Sequence, residues 1–180
     1  MPEHSHRSSL PLIAVRGIHF WRCLPKQYVR TILEAGPSFT QERRYSVRGE
    51  FGALYFSGSK ELCLREIIGR SGEDSEVMAC VEFEITLDRL VDLTRQETRT
   101  KLRVALEDLI RHRVSKDAYA ATQAIARRVY AEGLQGLLAP SLHDAKGEKS
   151  GWFNLVVYPA NLARASIREV QVEEIGPPFH

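Results

Sequence analysis

The sequence predicts an α+β fold: a single compact domain with short mixed or antiparallel sheets and flanking helices. Three observations carry that expectation. Val77, Ala79, Val81, Phe83 and Ile85 alternate against Met78, Cys80, Glu82 and Glu84, the period of a half-buried strand. Leu102, Ala105, Leu106 and Leu109, then Tyr119, Thr122, Ile125 and Val129, recur at helical spacing. Strands and helices do not alternate one-to-one, as a doubly wound sheet requires. The 180 residues sit just above the ~150 expected of one domain.

The elements follow in order. Residues 1–10 are polar and His/Ser-rich and read as a flexible terminus, with the domain at 11–176 and a Pro-containing tail at 177–180. Gly17 to Leu24 is an apolar strand carrying Arg22, and Pro25 closes it. Lys26 to Ala35 has helical spacing at Tyr28, Ile32 and Leu33 and stops at Gly36-Pro37. Pro37 to Gly52 lacks a period and reads as a loop over the surface or across a cleft. Ala53 to Ser57 is a short buried strand. Gly58-Ser59 turns it into a helix from about Lys60 to Ile68, with Ser59 as N-cap and Gly69 as terminator. After the Val77 to Ile85 strand, Leu87 to Thr94 is an irregular exit, and Gly133 caps the second of the two later helices. Leu134 to Ala139 is a strand stopped by Pro140-Ser141, and 142–150 is a polar, mobile-looking loop. Trp152 to Tyr158 and Ile167 to Ile175 complete the strands.

Composition narrows the function classes. With 43% hydrophobic and 27% charged residues the chain is ordinary globular protein, neither disordered nor fibrous. Its net charge of +2 supplies no global field for nucleic acid or an anionic membrane. Cys23, Cys63 and Cys80 form no C-x-x-C pair and have no histidine at finger spacing, so three buried thiols in a reducing compartment are expected, with no disulfide framework and no metal site. No stretch is long and apolar enough to span a bilayer, and a cytoplasmic location is the expectation. Nucleotide-binding glycine loops and H-E-x-x-H are absent.

Glu66 is the residue that resists a structural reading. On a helical wheel of ~100° per residue, Leu62, Cys63, Leu64, Ile67 and Ile68 form an apolar arc, and Glu66 falls between Leu62 and Cys63. A carboxylate there must be paired, hydrogen-bonded or facing a cleft. By strand period Arg22 shares a face with Phe20, while His19 and Trp21 share the other; Arg22 is either a snorkelling edge residue or an anion ligand. Arg43, Arg44 and Arg48 cluster before the 53–57 strand, either as a solvated loop or as guanidinium forks for phosphate or carboxylate. Ser141 lacks a G-x-S-x-G elbow, and His143 is only two residues on, so Ser141 reads as a hydrogen-bonding residue or turn former rather than a nucleophile. Asn154 is an amide inside an apolar strand, suited to fixing a loop. Arg111-His112-Arg113 and Arg127-Arg128 read as solvated helix faces.

Taken in order, these residues resemble the RES domain, a family named for an arginine, a glutamate and a serine and found as the toxin of RES/Xre toxin-antitoxin pairs. The resemblance spans roughly Phe20 to Tyr158. It rests on Trp21-Arg22, on Arg44-Tyr45 with Gly49, on Leu54-Tyr55-Phe56-Ser57 followed by Glu66, and on Gly136-Leu137-Leu138-Ala139-Pro140-Ser141 with Asn154. The family's G-G-R-[WF]-N-P-P-G is here Glu42-Arg43-Arg44-Tyr45-Ser46-Val47-Arg48-Gly49, which leaves Arg43, Arg44 and Arg48 as alternatives for the cleft-facing guanidinium.

The resemblance implies an ADP-ribosyltransferase-like fold and consumption of NAD+ as substrate, with no further cofactor. It implies Glu66 and Arg22 as catalytic residues and Arg44, Tyr45, Tyr55, Ser141 and Asn154 as substrate-binding ones. It also implies an Xre-type antitoxin partner in a hetero-oligomeric complex, without direct nucleic-acid or membrane binding. One alternative is a non-enzymatic partner-binding module in which Glu66 pairs with Arg22 or Arg44 as a core ion pair. Another is a nucleic-acid binder that uses the arginine-rich loop, with steeply salt-dependent retention.

Overall fold

In a computed structural model of the chain, residues 10–71, 77–111, 116–144, 151–162 and 166–176 are described. Two long strands organise the fold. β1 (Leu12–Pro25) runs antiparallel to β3 (Met78–Asp92) from Leu12 opposite Val91 to Pro25 opposite Met78. Its register shifts between Ile13 and Ile18, around Gly17 at φ 61°. The short strands β2 (Leu54–Ser57), β4 (Gly136–Pro140) and β5 (Phe153–Val157) close these two into a ring. β1 meets β2 at Trp21–Ser57, β2 pairs with β5, β5 with β4, and β4 runs parallel to β3. A sixth strand, β6 (Ser166–Ile175), adds antiparallel to the other edge of β3 outside the ring. The result is one mixed α+β domain around a closed five-strand sheet. It departs from the expected short sheets because the strand continues past Ile85 and stays paired to Asp92, against β1 at Leu87, Leu90 and Val91 and against β4 at 90–92, rather than forming an irregular exit.

Inside the ring, Phe20, Leu54, Phe56, Val81, Phe83, Ile85, Leu155 and Val157 form one apolar core, with Phe56 edge-on to Phe83. A second core lies between the outer face of β4 and β5 and the helical layer, where Val129 and Ala126 of α5 (Ala120–Ala131) pack with Leu137, Val156 and Tyr158. Burying each such aliphatic side chain contributes roughly 1.5–3 kcal/mol. Gly136 is dictated by the β4–β5 approach: a Cβ there would lie 2.0 Å from the carbonyl oxygen of Val156.

Several sequence expectations are corrected. Gly36-Pro37 does not end a helix; residues 26–31 form a 3-10 turn, and Gly36–Thr40 is a short helix, α1, with proline in its first turn, where its missing N–H costs nothing. The segment after it runs along a cleft with Gln41, Glu42 and 48–50 exposed, but it is anchored rather than loose, because Tyr45, Val47 and Phe51 are buried in the second core and Phe51 stacks on Tyr130 at 4.4 Å. Helix α2 (Lys60–Ser71) passes through Gly69. The period over 102–109 spans two helices, α3 (Gln96–Leu102) and α4 (Leu106–Ile110), separated by Arg103 in the left-handed region at φ 54°. Leu10, placed in the flexible terminus, is buried in the second core. Cys23 and Cys80 are direct register partners across β1 and β3 and are joined in a disulfide, which leaves Cys63 as the free thiol. The rest of the terminus, the tail at 177–180, His112 and Arg113, and 145–150 of the expected loop lie outside the described residues. No helix among the described residues is long and apolar enough to cross a membrane.

Candidate active site

A cleft of about 390 Å3 opens where the ends of β1, β2 and β5 meet α2 and the segment following α1. Its position is built locally. Ser57 ends β2, and Gly58 turns the chain so closely against Gly151 and Phe153 that a Cβ would come within 2.6 Å of the Gly151 carbonyl. Ser59 then caps α2, its Oγ accepting from the N–H of Leu62 at 3.2 Å. Leu62 and Cys63 are buried and pin the helix, so Glu66, one turn on, is carried half-buried to the cleft wall.

Glu66 is held by the sheet rather than by an arginine. Asn154 donates from Nδ2 to Glu66 Oε1 at 2.8 Å, and Ser57 donates from Oγ to Asn154 Oδ1 at 3.2 Å. Ser57 and Asn154 are register partners of β2 and β5. The structure therefore does not form the core ion pair that the non-enzymatic alternative requires.

Arg22 enters the same cleft from β1 on the face of Phe20, its Cζ 5.9 Å from the Phe56 ring centroid. Its Nη1 is buried without a hydrogen-bond partner, and among the described residues no carboxylate pairs with it. Burial pushes the Arg22 guanidinium down to about 10, opposed in part by the adjacent Cys63 sulfur. It remains charged at neutral pH, so the cleft contains a desolvated cation with an open donor. Burial likewise pushes the Cys63 thiol up to about 12, so it stays a thiol that donates weakly to the Trp21 carbonyl.

The loop arginines separate. Arg43 and Arg44 line the cleft and Arg48 is exposed outside it. Arg44, however, spends its fork on protein: Nη1 donates to the Leu109 carbonyl and Nη2 to that of Arg111, both at 2.7 Å, while the guanidinium lies over Tyr119 at 5.2 Å. It ties the loop to α4. Arg43 bonds the Gln41 side chain. Tyr55 lines the cleft and its hydroxyl accepts from the Tyr45 N–H at 3.1 Å. Tyr45 also borders the cleft, but its side chain is 3% exposed and its hydroxyl is buried without a partner, so burial pushes that hydroxyl well up. Ser141 lies behind the wall formed by Pro140 and Leu142; it is fully buried and accepts from the His143 N–H, the turn-forming role of the two readings. Sequence reasoning gave no site role to Ser57, Ser38, Glu42 or Tyr119, which also line the cleft. The cross-strand pairing that brings Ser57 to Asn154 has no local signal. Of the other basic residues, Arg127 forms a two-pronged pair with Glu50, and Arg128 pairs with Glu132.

A family model described as RES domain matches residues 19–177. No curated protein matches the sequence. Among solved structures the chain is similar to one described as the M. tuberculosis MbcT-MbcA toxin-antitoxin complex. The TM-score is 0.70 at 18% identity, covering 92% of this chain and 87% of that one.

Proposed function

This chain belongs to the RES-domain family, and from that premise we propose that it is the toxin of a toxin-antitoxin pair that binds NAD+ and cleaves the bond between nicotinamide and ribose. The observation that carries this reading is Arg22: a buried, charged guanidinium with an unpartnered Nη1, facing a cleft that also presents a carboxylate. A pyrophosphate supplies what that guanidinium lacks, through charge-assisted and bidentate hydrogen bonds. A desolvated cation without an anion is otherwise a standing cost to the fold.

The chemistry needs little else from the protein. Nicotinamide leaves a cationic linkage as a neutral pyridine, so no general acid is required, and the transition state is oxocarbenium-like at the ribose C1′, as in glycoside hydrolysis. The carboxylate of Glu66, held from one oxygen, stabilises that developing positive charge or holds the ribose 2′-OH. Tyr55 positions the ribose or the nicotinamide, while Arg44 keeps the cleft wall in place through α4. Water, phosphate or a protein side chain takes the ADP-ribosyl group. Mass spectrometry distinguishes free ADP-ribose, its phosphorylated form and a modified protein. The relation of the fold to ADP-ribosyltransferases belongs to the same proposal.

The solved complex with a similar fold supports an antitoxin as partner, and an Xre-type protein is the candidate. Expression in growing cells tests both parts. Wild type arrests growth and depletes NAD+, Glu66→Gln and Arg22→Ala do neither, and co-expression of a neighbouring antitoxin restores growth. Depletion of NAD+ by Glu66→Gln to the wild-type extent refutes the proposal.

A further inference from the structure

The family resemblance implies that Asn154 binds substrate, yet its two amide ends are both occupied by protein. Ser57 Oγ donates to Oδ1 at 3.2 Å, and Nδ2 donates to Glu66 Oε1 at 2.8 Å. An ionised carboxylate only accepts, so it requires the NH2 end of the amide; that leaves the carbonyl end toward Ser57, whose hydroxyl, able to donate or accept, donates to it. The carboxylate selects the amide orientation and the hydroxyl holds it. Ser57 and Asn154 lie directly opposite each other on β2 and β5, so that contact is set by strand register and not by a flexible loop. Glu66 comes from a different element, α2, and among the described residues Asn154 is the hydrogen-bond partner that joins it to the sheet. The other oxygen, Oε2, has no hydrogen-bond partner among the described residues.

We propose that Ser57 and Asn154 are positioning residues: the serine hydroxyl fixes the amide, and the amide fixes the Glu66 carboxylate with Oε2 presented to the cleft. The proposal rests on the NAD+-cleaving reading for its consequence in rate, and on geometry alone for the relay. A misplacement of the carboxylate by about 1 Å lowers the rate of the chemical step by up to ~100-fold while leaving remote binding energy intact. The effect therefore falls on kcat and not on KM.

The experiment measures kcat and KM for NAD+ with the purified chain, and in parallel the side-chain amide resonance of Asn154 in a 15N-labelled sample, assigned by its loss in Asn154→Asp. Expected are a fall in kcat of about 10- to 100-fold in Ser57→Ala with KM within about twofold, recovery in Ser57→Thr, which keeps the hydroxyl, and a shifted amide resonance in both Ser57→Ala and Glu66→Gln. A raised KM in Asn154→Leu together with a silent Ser57→Ala overturns the inference, because Asn154 then contacts substrate directly. If the wild-type chain does not turn over NAD+, the proposed function fails and the resonance alone decides the relay. An amide signal unmoved by Ser57→Ala and Glu66→Gln overturns it, and a shift in both upholds it.

Discussion

Arg22→Met separates stability from function at one residue. Methionine matches the length of the arginine stem and packs against Phe20 and Phe56, which already line that face. What it removes is a desolvated charge. The fall of the Arg22 guanidinium from its usual value to about 10 corresponds, at 1.36 kcal/mol per pH unit, to roughly 3 kcal/mol of disfavoured ionisation in the folded state. Partial exposure and imperfect packing of the thioether reduce the net gain to about 1–3 kcal/mol, within the range for replacing buried charges by apolar groups. At ~2–4 °C per kcal/mol for a chain of this size, the midpoint of thermal unfolding should rise by about 2–12 °C. The sign with pH follows from the lowered folded-state value. The cost is present in full below pH 10 and is relieved only as pH rises through it, so the advantage of the variant should be constant from about pH 6 to 9. Scanning calorimetry with and without NAD+ reads both halves. Wild type should gain about 2.7 kcal/mol at a hundredfold excess over Kd, and the variant should gain nothing. A variant less stable than wild type by more than about 1 kcal/mol would show instead that the guanidinium has partners that stabilise it.

Other outcomes follow from single residues. Tyr45→Phe removes a buried hydroxyl without a partner and should leave stability equal or raised by up to about 1 kcal/mol. Because burial raises the folded-state value of that hydroxyl, its contribution is present below the unfolded value and lost above it. Chemical denaturation should therefore show wild type losing stability above about pH 10 more steeply than the variant. Gly136→Ala drives a Cβ to 2.0 Å from a β5 carbonyl and should cost about 3 kcal/mol or more, measured by urea unfolding. Denatured without reductant, the chain should take up a single equivalent of maleimide, at Cys63, and all three cysteines should label after reduction; equal labelling in both conditions contradicts the β1–β3 disulfide.

What the sequence displayed were features with a local cause. The alternation from Val77 to Ile85, the Ser59 cap and the apolar arc around Glu66 each depend on residues within a few positions of one another, and each recurs in β3 and α2. What it concealed depends on partners distant in the chain. The Cys23–Cys80 bond needs the β1–β3 register, which no spacing of 57 residues reveals. Tyr45, Val47 and Phe51 lack a period because they are buried by α5 and β5 and not by their own element. Arg44 looks like a free phosphate fork until α4 brings the carbonyls of Leu109 and Arg111 to it. Arg103 shows how periodicity misleads: the apolar spacing across 102–109 is real, but a left-handed residue breaks the helix between two turns that both face the core.

An NAD+-cleaving site formed by Glu66 and Arg22 in this cleft must release nicotinamide and depend on the Glu66 charge. The most direct measurement is nicotinamide released from NAD+ by the purified chain, wild type beside Glu66→Gln, with folding of both verified by thermal unfolding. Wild type should release nicotinamide, and Glu66→Gln, an isosteric change that removes the charge facing the oxocarbenium centre, should lower that release by at least about 100-fold. Release by Glu66→Gln at the wild-type rate, or none from folded wild-type chain freed of any partner, contradicts such a site.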